Sequence, residues 1–218
     1  MAKTRLIGAV VPVGALRGSK PSAVGEFPDL VEFAQLCKKM RVGIIQLLPV
    51  NDTGLESSPY FSLTAFALHP LFLRLGDLPE AESFQDKIAA FNKEHSDAVR
   101  FHYHKVMGGK MWLLRDIYRA HESEIAQKAQ AGGALAAWIE QNPWVRPYAV
   151  YRRLKETGNG CSWKDWKEYR DPSPEEIIKL WDDPQYRTEH LFWAWLQQAC
   201  DAQFSAAAKA VAEAGILL

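Results

Sequence analysis

The chain contains 218 residues, of which 48% are hydrophobic and 24% are charged, a balance typical of a globular protein. Basic and acidic residues each number 26, so the formal net charge is zero. A chain without net charge has no long-range attraction for nucleic acid or an anionic membrane. Both are therefore excluded as predicted partners, and an uncharged ligand is favoured.

Two apolar stretches near the start predict a pair of buried parallel strands. Residues 6–13 and 43–50 are almost continuously apolar and do not alternate with polar residues, which is typical of strands covered on both faces. Between them, apolar residues recur at helical spacing from Asp29, a predicted N-cap, to near Met40. Strand, helix and strand in this order predict a right-handed βαβ unit of a barrel or an open parallel sheet.

A turn and a loop with many hydroxyl and aromatic groups follow the second strand. Asn51, Asp52 and Gly54 favour a turn, because Asn and Asp side chains bond to nearby backbone and Gly accepts positive φ. The loop at residues 57–70 is rich in Ser, Thr, Tyr and Phe and contains no charged residue. Such a loop suits a sugar, since aromatic rings offer apolar faces and hydroxyls offer hydrogen bonds.

From about Gly76 onward the periodicity is helical and no strand is predicted until the last residues. Segments 134–141 and 145–157 are predicted helices, whereas Gly108 and Gly109 mark either a break between two helices or a weak point within one.

Two further helices are predicted before the last residues. Ser173 is expected to cap a helix that reaches Trp181. A long helix then runs from about residue 186 to Gly215, and residues 216–218 are expected to begin a further strand.

Several short motifs resemble those of a known family. The chain reads GEFPDL at 25–30, PVNDTG at 49–54, SPY at 58–60 and TAFALHP at 64–70. This wording resembles the 4-α-glucanotransferases (amylomaltases, disproportionating enzymes) of glycoside hydrolase family 77. Two positions depart from the family pattern, since Phe61 replaces a usual Gln and His69 a usual Asn.

The resemblance implies a fold class and an organisation. The expected fold is α/β and helix-rich, with strands 1 and 2 of a (β/α)8 TIM barrel and a large helical insertion. The expected regions are 1–75 with the first two strands and the substrate loop, 76–184 as the insertion, and 185–218 as the long helix with the start of barrel strand 3.

The resemblance also implies a reaction. Family members transfer α-1,4-glucan segments between maltooligosaccharides with retention, which needs two carboxyl groups about 5 to 5.5 Å apart. Their catalytic carboxylates come from later loops, so they are expected beyond residue 218. Residues 1–218 alone are predicted to be inactive and to need the remainder of the barrel. A non-catalytic carbohydrate-binding or regulatory module and a helical interaction scaffold are the alternatives.

The predicted site residues lie in the loop. Tyr60 is expected to bind substrate through its ring and hydroxyl, and Ser58 is a second substrate-binding candidate, because both match the SPY motif of the family. Asp52 is interpreted as a turn residue and not as a catalytic acid. Phe61 and Ser62 are expected to pack against the protein.

The remaining polar and aromatic candidates are assigned structural roles. His102 and His104 would point to different sides of a helix, so no metal site is predicted, and no cofactor is expected either. His69 is expected to be a loop residue without a partner. The tryptophans are expected in the core, including Trp163, Trp166, Trp193 and Trp195.

Cysteine usage predicts the compartment. Cys37, Cys161 and Cys200 are odd in number and lack the spacing of disulfide or zinc frameworks, so reduced thiols are expected. The first residues do not resemble a signal peptide, and no apolar run approaches the length of about 18 residues that a membrane span needs. The prediction is a cytoplasmic protein of unspecified oligomeric state.

Overall fold

The computed structural model describes residues 6–96, 101–158 and 160–218. The chain divides into a first unit, Met1–Ile117 with Ala199–Leu218, and a second unit, Tyr118–Gln198. This division into compact units does not test the region boundaries expected from the family resemblance, after residues 75 and 184. Those boundaries stay a prediction.

Two strands and eight α-helices lie within the described residues. In chain order they are β1 (Gly8–Val11), α1 (Asp29–Lys39), β2 (Ile44–Leu47), α2 (Gln85–Ser96), α3 (Tyr103–Ala120), α4 (Glu122–Lys128), α5 (Ala134–Gln141), α6 (Val145–Thr157), α7 (Pro174–Asp182) and α8 (Arg187–Glu213). None of the helices in this part of the chain combines the length and the apolar character needed to cross a bilayer.

The strands β1 and β2 form a parallel pair in which Gly8 faces Ile44 and Val11 faces Leu47. Both are shorter than predicted, because Pro12 and Pro49 follow soon after and have no N–H to continue the ladder.

Strands β1 and β2 are not buried on both faces in this chain, in keeping with the expectation that residues 1–218 need the remainder of the barrel to cover them. Ile45 is 1% exposed, but Val10 is 64% exposed and Ile7, just before β1, is 67% exposed. In the described residues no further layer covers either of these two side chains, so both remain in contact with solvent.

The last residues of the chain pair with β2. Leu217 forms a parallel bridge with Ile44. The Leu217 N–H donates to the Gly43 carbonyl at 3.0 Å, and the Ile45 N–H donates to the Leu217 carbonyl at 2.8 Å. Residues 216–218 therefore lie where a further parallel strand would continue the sheet.

Helix α1 starts differently from the prediction. Pro28 is the N-cap and makes no side-chain cap, and Asp29 is the first helical residue. The Asp29 carboxylate instead accepts a hydrogen bond from the Glu26 N–H at 2.8 Å and pairs with Arg74. Gly25 lies just before this turn, where a Cβ would stand 2.0 Å from the Val13 carbonyl oxygen, so only glycine fits.

The predicted helices of the second half are confirmed. Helices α5 and α6 have the predicted bounds. Helix α7 begins with a capping box in which the Ser173 hydroxyl accepts from the Glu176 N–H and the Glu176 carboxylate accepts from the Ser173 N–H. In the first unit, Gly108 and Gly109 lie inside α3, so they do not separate two helices.

Aromatic side chains fill the core of the second unit. Trp193 is fully buried, Trp195 is 3% exposed and Trp166 is 8% exposed, as predicted. Trp163 is 45% exposed, so its placement in the core was wrong. Trp163 lies in a single 3-10 turn and Trp166 already has extended backbone, so the two rings share no helix face.

Candidate functional site

The loop after β2 is closed at its base by backbone hydrogen bonds. The Asp52 N–H donates to the Ala67 carbonyl at 2.9 Å, and the Leu63 N–H donates to the Asp52 carbonyl at 2.7 Å. The Asp52 carboxylate is fully buried and accepts from the Gly54 N–H at 2.9 Å, while Gly54 has φ of 63°. Asp52 thus shapes the turn, in agreement with its interpretation from the sequence.

Ser58 organises the turn that presents Tyr60. The Tyr60 N–H donates to the Ser58 hydroxyl at 3.4 Å, and the Phe61 N–H donates to the Ser58 carbonyl at 3.2 Å. The Tyr60 side chain is 71% exposed. The ring therefore does not contribute to the core and is free to meet a ligand from solvent.

Other large apolar side chains of the same loop are exposed as well. Leu55 is 68% exposed, and Phe61 and Phe66 are each 65% exposed. The expectation that Phe61 packs against the protein is therefore wrong. A short loop with its backbone groups tied to each other has little room to fold its own side chains inward, so these residues stay exposed.

His69 is buried and hydrogen-bonded, so the prediction of a histidine without a partner was wrong. Its Nδ1 accepts from the Leu71 N–H at 3.3 Å, which places the ring proton on Nε2. That Nε2–H lies 2.7 Å from the Tyr103 hydroxyl, which donates in turn to the Gly54 carbonyl at 2.9 Å. The partner is 34 residues away along the chain, which is why local sequence did not reveal it.

Thr53 completes the same network. Its hydroxyl donates to the Glu56 carbonyl and lies 3.1 Å from both His69 Nε2 and the Tyr103 hydroxyl. Because Nε2 carries the proton, His69 does not act as a base toward Thr53. The network therefore fixes the turn at residues 52–56 and does not activate a nucleophile.

Buried charges hold the neighbouring segment. Lys110 Nζ donates at 2.7 Å to Glu26 Oε1 and to the carbonyls of Leu71 and Leu73, and Arg74 Nε donates to Glu26 Oε2 at 2.8 Å. Burial lowers the pKa of Arg74, but its hydrogen bond to Glu26 and nearby carboxylates outweigh burial, so its pKa is raised. The segment after His69 is thereby fixed to α3.

A cavity of about 470 Å³ lies next to the loop, within the size range of small-molecule sites. It is lined by Pro12, Val13, Gly14, Ala15, Arg17, Val24, Pro49, Asn51, Thr53, Ser57, Pro59, His69, Leu71, Phe72, Phe101 and Tyr103. Ser57 and Pro59 belong to this lining, whereas Ser58 and Tyr60 do not.

The lining combines apolar faces with hydroxyl, amide and guanidinium groups, which suits an uncharged ligand with many hydroxyls. No carboxylate belongs to it among the described residues, so this part of the chain offers binding groups and no acid/base pair. In the same residues no group of three or more His, Cys, Asp or Glu side chains is placed to hold a metal ion.

Sequence reasoning missed Arg17, Ser57 and Tyr103 as residues of this site. Ser57 carried a local signal, since it adjoins the SPY motif. Arg17 and Tyr103 come from other segments, and only the fold brings them to the cavity.

Comparison with known proteins agrees with these features. The profile of glycoside hydrolase family 77, described as 4-alpha-glucanotransferase, matches residues 11–218. A 4-alpha-glucanotransferase of Chlamydia caviae is 33% identical over 203 residues, which cover 91% of this chain and 37% of that protein. One from Synechocystis is 28% identical over 185 residues, covering 80% of this chain and 34% of that protein.

Solved structures show the same fold. The amylomaltase of Streptococcus agalactiae, determined in complex with acarbose, superimposes with a TM-score of 0.78 at 16% identity, covering 98% of this chain and 42% of that one. The amylomaltase of Corynebacterium glutamicum gives a TM-score of 0.67 at 20% identity, covering 97% and 29% respectively.

The fold is thus that of the matched part of the amylomaltases. With the profile match over most of the chain, the protein belongs to glycoside hydrolase family 77, the 4-alpha-glucanotransferases. The chain spans about 37% of the length of the Chlamydia caviae relative.

Proposed function

We propose that this chain is the amino-terminal part of a 4-α-glucanotransferase that transfers α-1,4-glucan segments between maltooligosaccharides with retention. The observation that carries the proposal is the family membership over residues 11–218 together with the exposed Tyr60 in the family's SPY motif. The 71% exposure of this residue, in a loop held by its own backbone hydrogen bonds, supports a role in ligand binding rather than in packing.

Tyr60 and Ser58 are proposed to act in substrate binding by different means. Tyr60 stacks its ring on a glucosyl unit and hydrogen-bonds through its hydroxyl. Ser58 holds the turn through its hydroxyl, which accepts from the Tyr60 N–H. Both roles need no ionised group and suit a neutral glucan.

Strands β1 and β2 with α1 are proposed to be the first part of a (β/α)8 barrel, and residues 76–184 a helical insertion. The pairing of Leu217 with β2 supports residues 216–218 as the beginning of barrel strand 3. Parallel barrel strands present their carboxyl ends on one face, where barrel enzymes carry their sites, and the Tyr60 loop follows the carboxyl end of β2.

The remainder of the barrel is proposed to cover the exposed apolar surface of the first unit. A groove of about 910 Å³ runs along β2 and is lined by residues that include Ile44, Leu47, Phe204 and Leu217. The continuation of strand 3 would occupy this groove and remove the open edge along β2.

The catalytic carboxylates are proposed to lie outside residues 1–218. Retention requires two carboxyl groups about 5 to 5.5 Å apart on either side of the scissile bond, and the cavity lining within the described residues contains none. The cytoplasmic location inferred from the cysteines stays a prediction.

Glucose release from maltotriose tests the proposal. The longer protein that carries this chain should release glucose and form maltooligosaccharides of increased length, with the α configuration retained by NMR, whereas residues 1–218 alone should release none. Hydrolysis without transfer, or no turnover by the longer protein, would contradict it. Glucan binding by a longer protein without turnover would favour the non-catalytic carbohydrate-binding alternative.

A further inference from the structure

A second cavity lies within the second unit, and four of its eleven lining residues are aromatic. It has a volume of about 340 Å³ and lies between α6 and the segment at residues 163–172. Its lining residues are Pro147, Val150, Tyr151, Leu154, Trp163, Trp166, Tyr169, Arg170, Asp171, Pro172 and Ile177. We call it the aromatic pocket.

The rings that line the aromatic pocket differ in exposure, since Trp166 is buried whereas Trp163 and Tyr169 are exposed. Trp166 is 8% exposed, and its ring lies 5.6 Å from that of Tyr151 at an angle of 35°. Trp163 is 45% exposed and Tyr169 is 37% exposed. A packed core would bury all four rings, so the outer two offer faces to a ligand.

The segment that carries these rings contains a residue with a strained backbone conformation. Tyr169 has φ of 58°, a left-handed conformation that is unusual for a non-glycine residue. The Arg170 side chain donates through Nε to the Trp166 carbonyl, and the Ser162 hydroxyl caps the turn at Trp163 by accepting from the Lys164 N–H at 3.4 Å. Strain of this kind recurs at sites that position a side chain for a ligand.

Hydrogen-bond donors and hydrogen-bond acceptors both border the rings. Arg170 contributes hydrogen-bond donors and Asp171 contributes acceptors. Asp171 is exposed and lines the pocket next to Arg170. A pyranose ring offers C–H groups on its faces and hydroxyls around its edge, which match aromatic walls with a polar border.

We propose that the aromatic pocket binds an α-glucan segment as a second, non-catalytic binding site of this protein. The identity of the sugar rests on the proposed function, whereas the pocket rests on its own geometry. Asp171 is the single carboxylate in the lining within the described residues, so the retaining pair of carboxyl groups is missing and the site binds without cleaving.

A proline-rich peptide is the competing occupant, because such peptides also dock on aromatic surfaces. Those grooves are extended and read several residues, whereas this cavity of about 340 Å³ is near the lower end for small-molecule sites. The structure therefore favours one or two glucosyl units.

Hydroxyl-radical footprinting of residues 1–218 at micromolar concentration tests the proposal, with maltoheptaose as the probe and the radical dose matched by an internal dosimeter. Mass spectrometry reads oxidation at Trp163, Tyr169 and Tyr60 in the same sample. We expect saturable protection of Trp163 and Tyr169. Trp163→Ala, read at Tyr169, should weaken binding about tenfold, equivalent to about 1.4 kcal/mol.

Matched variants distinguish binding in the aromatic pocket from a general effect of the sugar on oxidation. Asp171→Ala should weaken protection of Trp163 about tenfold, whereas Asp165→Ala, an exposed carboxylate of the same segment that does not line the pocket, should not. Low oxidation of the buried Trp166 reports that each variant is folded.

Distinct outcomes separate this inference from the proposed function. Protection of Tyr60 without protection of Trp163 would overturn the pocket and leave the proposed function standing. Protection of Trp163 in a protein whose longer form shows no transfer would support the pocket and contradict the proposed function. Protection of Trp163 by a proline-rich peptide and not by maltoheptaose would overturn the assignment of a glucan.

Discussion

Replacing Lys110 by Met should destabilise the first unit strongly, because its ammonium group is buried with three acceptors. The side chain is 1% exposed, and Nζ donates at 2.7 Å to Glu26 Oε1 and to the carbonyls of Leu71 and Leu73. Methionine has a similar length but no donor, so Glu26 loses this ion pair while its bond from Arg74 remains, and both carbonyls lose this partner. Breaking a buried ion pair from one side costs about 3 to 5 kcal/mol.

The matched control is Lys20→Met. Lys20 pairs with Asp77 at 3.2 Å, but its side chain is 62% exposed, and an exposed pair is worth about 0 to 1 kcal/mol. Urea unfolding followed by far-UV circular dichroism measures both variants, with equal slopes required before midpoints are compared. A Lys110→Met variant no less stable than Lys20→Met would refute the reasoning, because the buried network would then contribute nothing measurable.

Three further predictions follow from other parts of the chain. Asp52→Asn should leave kcat/KM of the longer protein within about tenfold of wild type, since Asn retains an oxygen for the Gly54 N–H; a loss of several orders of magnitude would assign Asp52 to the chemistry. Burial lowers the pKa of His190 to about 4. Below the unfolded pKa near 6.5 the unfolded state therefore binds the extra proton, and the free energy of unfolding should fall as pH drops toward 4, by about 2 kcal/mol between pH 8 and pH 5. His190→Gln should lose this pH dependence, and equal slopes in both proteins would contradict the assignment. Isolated residues 1–218 should self-associate through the exposed strand pair, where Val10 is 64% exposed; a concentration-independent monomer mass by light scattering would contradict this.

The elements of this fold are readable from the sequence where local chemistry decides them. The bounds of α5 and α6 follow from apolar spacing and from flanking Gly and Pro residues, and the capping box of α7 is visible at Ser173 and Glu176. The parallel pairing of β1 and β2 follows from two apolar runs around one helix. The Asp52 turn follows from side-chain chemistry within three residues.

The misses involve contacts between distant segments. The partners of His69 and of Lys110 lie 34 and 84 residues away, so neither buried network leaves a local pattern. The exposure of Val10 agrees with the expectation that the strands lack their cover in residues 1–218, although an apolar run by itself looks the same whether its cover is present or absent. Trp163 was misplaced because the tryptophans were assigned to the core as a class, whereas the short 3-10 turn Trp163–Asp165 leaves its side chain exposed.

The most direct measurement of the central claim is kcat/KM for maltooligosaccharide transfer by the longer protein with Tyr60→Ala, compared with Leu55→Ala. Leu55 lies in the same loop and is similarly exposed, at 68% against 71% for Tyr60. Losing a ring that becomes buried against a sugar should lower kcat/KM about 10- to 100-fold, with an unchanged melting temperature, while Leu55→Ala should change it little. Equal kcat/KM for Tyr60→Ala and wild type would contradict the account.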